Sequence, residues 1–278
     1  MRVLITGGAT GLGQAIALKW ADKCVSKKGV LDICIADINM ERGNETVNAL
    51  IAKGANAFYM HCDITSDNDV QTLAQTIETR WGSVDYVFNN AGVATGGSLL
   101  DETIEQWQWV FDINVLGMVR VSRALLPLMR KRGSGYFINI ASQAGLTPIP
   151  YMGSYNSVKA AVVSFSETMK LELAPDNIDV SVVCPSFFKT NLDESMRSSN
   201  PASHKMINKF FAKADITKEE VAESIYQQVS QKRFLILTHK LGKRAFLLKK
   251  LLPTQRYISN MLNQTKTMKR AMESKVKE

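Results

Sequence analysis

Tyr155 and Lys159 stand four residues apart in SYNSVKAAVVSF, residues 154–165. Val158, Ala161, Val162 and Phe165 recur there at helical spacing, which predicts a helix with both polar side chains on one side, one turn apart. A free phenol titrates near ~10 and is a poor acid–base group at neutral pH. A cation held within about 4–6 Å favours the phenolate and lowers that value. A tyrosine that exchanges a proton near neutrality is what carbonyl–alcohol chemistry requires. The spacing alone describes equally well a half-buried tyrosine beside a solvated lysine, so the rest of the chain has to decide.

A second group lies at the N-terminus. TGGATGLG, residues 6–13, follows the apolar run RVLIT and precedes a helical pattern. Gly7 and Gly11 permit tight turns, and Gly13 permits close helix–strand packing. The helix start then presents free N–H groups and a positive dipole end to a pyrophosphate. A Gly-rich turn between a buried strand and a helix points to dinucleotide binding. Asp37, 24 residues beyond Gly13, ends the next apolar run. A carboxylate there accepts hydrogen bonds from ribose hydroxyls and repels a 2′-phosphate, which favours NAD(H) over NADP(H). The bland alternative is that Asp37 caps the following helix, which Arg42 begins.

The elements that must position these groups alternate. Strands are expected at 2–6, 31–37, 56–63, 84–90, 135–142, 178–185 and 233–240. Helices are expected near 12–24, 41–53, 67–81, 103–132, 152–174 and 218–231. Such alternation predicts an α/β fold, a doubly wound parallel sheet with helices on both faces. The 278 residues are ample for one sizeable core, and 45% hydrophobic with 22% charged is ordinary for a globular protein. No apolar run reaches the length of a membrane span, and MRVLITGG reads as a strand start rather than a signal peptide, so a cytoplasmic protein is expected. Cys34, Cys62 and Cys184 lie in strand-like runs and read as reduced core thiols; with Cys24 they form no C-x-x-C pair. His61, His204 and His239 are scattered, and no metal site is expected.

Net charge is +8, but residues 231–278 hold 13 Lys+Arg against 2 Asp+Glu. The body is near neutral, which argues against a whole-surface nucleic-acid binder.

TGGATGLG, NNAG at 89–92, Ser142, Tyr155 and Lys159 together resemble the short-chain dehydrogenase/reductase family, in its single-domain branch with T-G-x-x-x-G-x-G and Y-x-x-x-K. The resemblance runs over about residues 1–240. It implies a Rossmann fold with strand order 3-2-1-4-5-6-7. It implies a cofactor site from Gly7, Thr10, Gly11, Leu12, Gly13, Asp37, Asp63, Ile64, Asn90, Ala91, Gly92, Tyr155, Lys159, Pro185 and Thr190. It implies a catalytic set of Ser142, Tyr155, Lys159 and Asn114. Asp63 would contact the adenine ring, Asn114 would anchor a proton-relay water, and Ser142 would orient the substrate oxygen. Unaided, Asn114 reads as a helix polar residue, Ser142 as a turn serine and NNAG as a turn. Where the family commonly has Pro-Gly the chain has Pro185-Ser186, which puts the local backbone path in doubt. The family also implies a homodimer or homotetramer built on the helices near 103–132 and 152–174.

Residues 187–213 form a long insertion with an apolar face, expected to cover a lipophilic substrate, the alternatives being a surface elaboration or a subunit contact. The domain is therefore placed at 1–240, with 241–278 as a basic amphipathic helical extension. Within it KRAFLLKKLL (243–252) is stopped by Pro253, and a stripe follows from Tyr257 to Met272. Residues 243–272 are read either as a peripheral contact with an anionic membrane or as a helix packed on this subunit or a partner.

The function expected is NAD(P)(H)-dependent hydride transfer between nicotinamide and a carbonyl or alcohol, NAD(H) being preferred and NADP(H) left open. The substrate expected is a lipophilic small molecule such as a long-chain aldehyde, a ketone or a steroid-like compound. The rivals are a non-catalytic NAD(H)-binding regulator, an epimerase or dehydratase of the family's longer branch, and a membrane or nucleic-acid adaptor working through the basic tail.

Overall fold

A computed structural model describes residues 1–25, 29–188, 196–198, 214 and 216–273. Seven parallel strands form the central sheet in the order β3 (Asn56–His61), β2 (Asp32–Asp37), β1 (Arg2–Thr6), β4 (Tyr86–Asn89), β6 (Gly135–Ile140), β7 (Ile178–Val183), β9 (Leu235–Ile236). This is the expected Rossmann order. Alternate residues of each strand serve opposite faces. Val3, Ile5, Ile33, Ile35, Phe88 and Ile138 face α1 (Gly11–Val25), α2 (Met40–Ala52) and α7 (Lys218–Ser230). Leu4, Cys34, Val87, Phe137 and Val180 face α3 (Asp67–Trp81) and α5 (Met118–Arg132). Trp20 of α1 meets the Phe88 ring edge-on at 4.8 Å, pinning that helix to the sheet centre. Both faces are covered, which is why the strands read as continuous apolar runs.

Two expectations change in detail, and one small feature is added. The last strand is only Leu235–Ile236, because Thr238 and His239 already lead into α8 (Lys240–Leu251). The helix expected over 103–132 is three pieces: α4 (Ile104–Phe111), a π-helical stretch Asp112–Gly117, and α5. Asn114 explains the break, since its Nδ2 donates to the Val110 carbonyl at 3.0 Å and competes with the regular ladder. A small parallel pair outside the main sheet joins β5 (Thr95–Gly96) to β8 (Arg197–Ser198). It ties the described part of the insertion to the body beside α6 (Gly153–Leu173), where Met196 packs with Tyr155 and Met152.

Cys34 in β2 and Cys62 and Cys184, one residue past β3 and β7, are buried and Cys24 is partly so; all are free thiols. Among the described residues no helix is long and apolar enough to cross a membrane. After Pro253, α9 (Thr254–Glu273) turns back so that Tyr257 is buried, with Lys249 Nζ 5.8 Å from its ring centre.

Candidate active site

A cleft of about 660 Å³ opens along the C-terminal ends of the strands. It lies where the chain crosses from one side of β1 to the other, where ligands of open α/β sheets bind. At one end it is lined by Gly7, Thr10, Gly11, Leu12, Asp37, Asp63 and Ile64. Asn90, Ala91, Gly92, Ser142, Tyr155, Lys159 and Pro185 continue it. Gly13 and Asn114 stand just behind this surface, and Thr190 lies outside the described residues.

The Gly-rich turn is locked by its partners across the sheet. Gly7 and Gly11 have φ of 62° and 57°, which a β-carbon would strain. A β-carbon on Gly13 would run into the Gly7 carbonyl oxygen and come within 2.6 Å of Asn90 Nδ2. Asn90 Nδ2 donates to the carbonyls of Thr6 and Gly7 at 3.0 and 2.9 Å. The backbone N–H groups of Asn90 and Ala91 reach Thr6 Oγ1. Asn89 is buried and donates to Asn139 Oδ1 and Ser122 Oγ, tying β4 to β6 and α5. NNAG is therefore more than a turn: it braces the opening of α1, whose free N–H groups face the cleft.

Asp37 accepts from the backbone N–H of Ala9 at 3.0 Å and of Asn39 at 2.9 Å. The cap of α2 is Asn39, whose side chain accepts from Arg42 N–H, so Asp37 is not the helix cap. Its carboxylate is left at the cleft wall, where Arg42 also lies. Asp63 is held by the N–H and hydroxyl of Thr65.

Tyr155 and Lys159 sit on the first two turns of α6, both buried. Lys159 Nζ lies 5.7 Å from the Tyr155 ring centre and donates to the Ile140 carbonyl at 3.1 Å. Burial pushes the Tyr155 phenol up to about 12, with the Ser142 hydroxyl pulling the other way. Burial likewise brings Lys159 down to about 8. The expectation that the lysine charge governs the phenol is thus modified: desolvation dominates, and the tyrosine holds its proton at neutral pH. Ser142, at the end of β6, accepts from Ala144 N–H at 3.1 Å while its hydroxyl approaches the Pro185 carbonyl. Asn114 Nδ2 is spent on the carbonyls of Val93 and Val110, but its Oδ1 is buried with no protein partner. A Gly92 β-carbon would meet that oxygen at 2.6 Å and Lys159 Nζ at 3.5 Å, so both polar ends face one small space. An orphan acceptor opposite a lysine head suits a bridging water.

Three residues escape the sequence reading. Glu102 is buried and accepts from Ser154 N–H at 3.0 Å, Ser154 Oγ at 2.6 Å and Gln106 Nε2 at 3.3 Å. Met152, the residue before α6, offers no side-chain cap, so this distant carboxylate caps the helix that carries Tyr155. His239 accepts at Nδ1 from Ser186 N–H at 3.2 Å, which settles the backbone after Pro185 where the glycine is missing. Ser186 needs no positive φ. Gln143 donates to the Gly242 carbonyl at 3.2 Å, and Leu241, Gly242 and Ala245 of α8 line the cleft beside Phe187 and Phe188. The first turns of the extension are part of the cleft wall.

The sequence pattern of the short chain dehydrogenase family matches residues 1–201. This chain belongs to that family. A 3-oxoacyl-[acyl-carrier-protein] reductase of Synechocystis is 31% identical over 195 residues, 70% of this chain and 77% of that protein. A CLA biosynthesis dehydrogenase/reductase of Lactiplantibacillus plantarum is 29% identical over 256 residues, 85% of this chain and 87% of that one. Among solved structures, a short chain dehydrogenase/reductase from Burkholderia phymatum in complex with NAD superposes with a TM-score of 0.82 at 30% identity, covering 90% of this chain and 92% of that one. The chain is thus an oxidoreductase-family protein of the short-chain dehydrogenase type, and its seven-stranded parallel sheet is the fold of one.

Proposed function

We propose that the protein is a nicotinamide-dependent carbonyl reductase or alcohol dehydrogenase acting on a lipophilic small molecule, with NAD(H) the preferred cofactor. The observation that carries this reading is the convergence of Ser142, Tyr155 and Lys159 on one end of the cleft whose other end is the glycine turn. The glycine cradle, the Asp37 carboxylate and the orphan Asn114 oxygen fit such a cofactor, and the Burkholderia relative is a complex with NAD. The α1 N-terminus would hold the pyrophosphate, Asp37 the adenosine ribose and Lys159 the nicotinamide ribose. When bound, the nicotinamide supplies or takes the hydride.

The remaining work belongs to the chain. Ser142 donates a hydrogen bond to the substrate oxygen and orients it. Tyr155, protonated near neutrality, gives its phenol proton to the oxygen as the carbonyl is reduced, and Lys159 stabilises the phenolate left behind. A water between Asn114 Oδ1 and Lys159 Nζ returns the proton from solvent. The substrate end is walled by Ala94, Ile149, Met152, Phe187 and Phe188, with Leu241 at its mouth, and this lining suits an apolar body. Of the lid expected over 187–213, Phe187 and Phe188 line the cleft and Met196 packs beside Tyr155; beyond these and β8, the rest of it lies outside the described residues. The names of the Synechocystis and Lactiplantibacillus relatives, a ketoacyl reductase and a dehydrogenase/reductase, agree in kind.

Assembly as a homodimer or homotetramer is proposed on the exposed apolar residues Phe111 at the end of α4, Leu116 in the π-helical stretch, and Leu171 on α6. Light scattering tests it, and a monomer at micromolar concentration refutes it. For the reaction, a panel of aliphatic and polycyclic carbonyls with NADH and NADPH, followed at the nicotinamide absorbance, is the test. Turnover of apolar carbonyls with NADH is expected; nicotinamide binding without any turnover would favour the regulator.

A further inference from the structure

The helix α8 is apolar on both sides, and only one side is used. Its inner side is built into the body: Gly242 lies against Gln143, Phe246 packs on the cluster around Val158 and Val182, and Lys249 Nζ donates to the Leu146 carbonyl. At about 100° per residue, the opposite side carries Leu247, Leu248 and Leu251. These leucines are 57%, 51% and 73% exposed. Leu241 shares that side, is 77% exposed, and also borders the cleft mouth. Lys243, Arg244 and Lys250 stand exposed among them. On α9, Ile258 and Leu262 add two exposed apolar side chains one turn apart. A surface helix ordinarily turns a polar face outward once its inner face is packed.

We propose that this outward leucine face docks on an anionic lipid bilayer and sets the cleft mouth against it. The charge of the segment selects the occupant. Residues 240–273 contain nine Lys+Arg and one Glu, so a second copy of the same face would bring like charges together, whereas anionic headgroups complement them. Leucines flanked by lysine and arginine are the composition of an interfacial helix, and α8, with its inner face fixed to the protein, lies in the bilayer surface rather than across it. A lipophilic substrate would then reach the Leu241 edge from the bilayer; that consequence rests on the reading of the cleft as an apolar carbonyl site, and the docking itself does not.

The structure also decides which variant tests the idea. Truncation after Lys240 would remove cleft wall along with the tail. The full-length chain with Leu247→Gln, Leu248→Gln and Leu251→Gln keeps helix-forming side chains and leaves the packed face untouched. Flotation with phosphatidylcholine vesicles, with and without phosphatidylglycerol, is the measurement. The wild type is expected to float with the anionic vesicles at low salt, weakly with neutral ones, and less as salt rises. The triple variant is expected to lose on the order of tenfold in bound fraction. Its NADH binding and its turnover of a short water-soluble carbonyl should stay at wild-type levels. A wild type that ignores anionic vesicles at low salt, or a triple variant that floats equally well, overturns the proposal. A triple variant that breaks into a smaller particle also overturns it, since a second copy then covers the face. Flotation needs no turnover: a chain that floats and reduces nothing rejects the proposed reaction and leaves the docking face standing.

Discussion

Replacing Glu102 with Ala tests how α6 is held. The carboxylate is buried and takes three hydrogen bonds, two of them from Ser154 at 2.6 and 3.0 Å. Hydrogen bonds to a charged group contribute about 1.5–3 kcal/mol each, and loss of a helix cap typically costs about 1 kcal/mol. Against this stands the relief of removing a buried charge, which offsets part of the loss. The Gln106 bond at 3.3 Å is long and adds little. A net destabilisation of about 3 kcal/mol is expected, a fall in melting temperature of about 6 °C or more for a chain of this size. Urea unfolding of the wild type and of Glu102→Ala at neutral pH measures it, the midpoint falling at constant slope. Glu102→Gln should lie between, because one amide oxygen still accepts from the Ser154 hydroxyl while the amide nitrogen opposes Ser154 N–H. Tyr155 follows Ser154 directly, so kcat should fall more than NADH affinity in both variants. An Ala variant with an unchanged midpoint and unchanged kcat would show that the carboxylate neither caps the helix nor positions the tyrosine.

Gly13→Ala forces a β-carbon into the Gly7 carbonyl and Asn90; a loss of about 1–3 kcal/mol in stability and a marked loss of NADH affinity by fluorescence titration are expected. Asp37→Ala removes the proposed ribose acceptor and frees the Ala9 and Asn39 N–H groups, so the preference for NADH over NADPH should narrow in competitive titration. Lys159 titrates near 8 when folded, below its ordinary 10.5, so the native state releases its proton first and stability from this group rises with pH between those values. The rise is about 3 kcal/mol across that window, and Lys159→Met should abolish it in denaturant unfolding followed from pH 7 to 11. Tyr155 acts in the opposite sense, since its raised value makes stability fall above pH 10, so Tyr155→Phe should lessen that decline.

Much of the fold was legible because its signals are local. Apolar runs buried on both faces announced β1, β2, β4, β6 and β7, and the glycine turn named its own place between β1 and α1. What escaped depends on distant partners. Glu102 reads as one more acid near a helix start; its partner Ser154 is 52 residues away. The pair β5–β8 has two residues per strand, too few for any periodicity. The family pattern points to Asn114, but the π-helical stretch its amide opens follows from competition for the Val110 carbonyl. His239 looked like a lone histidine until the sheet brought it to Ser186. A helical stripe does not say which side is inner, so from the sequence packing and membrane contact stand as alternatives for the tail. The structure shows one side of α8 packed and the other exposed.

The central claim is that Tyr155 delivers the proton in a nicotinamide-dependent carbonyl reduction. The direct measurement is steady-state reduction of the best carbonyl substrate by wild type and Tyr155→Phe, with NADH affinity determined in parallel. The variant keeps the ring and loses the hydroxyl, so turnover should fall by on the order of 10²-fold or more while NADH binds as before. Near wild-type turnover in Tyr155→Phe would contradict the account.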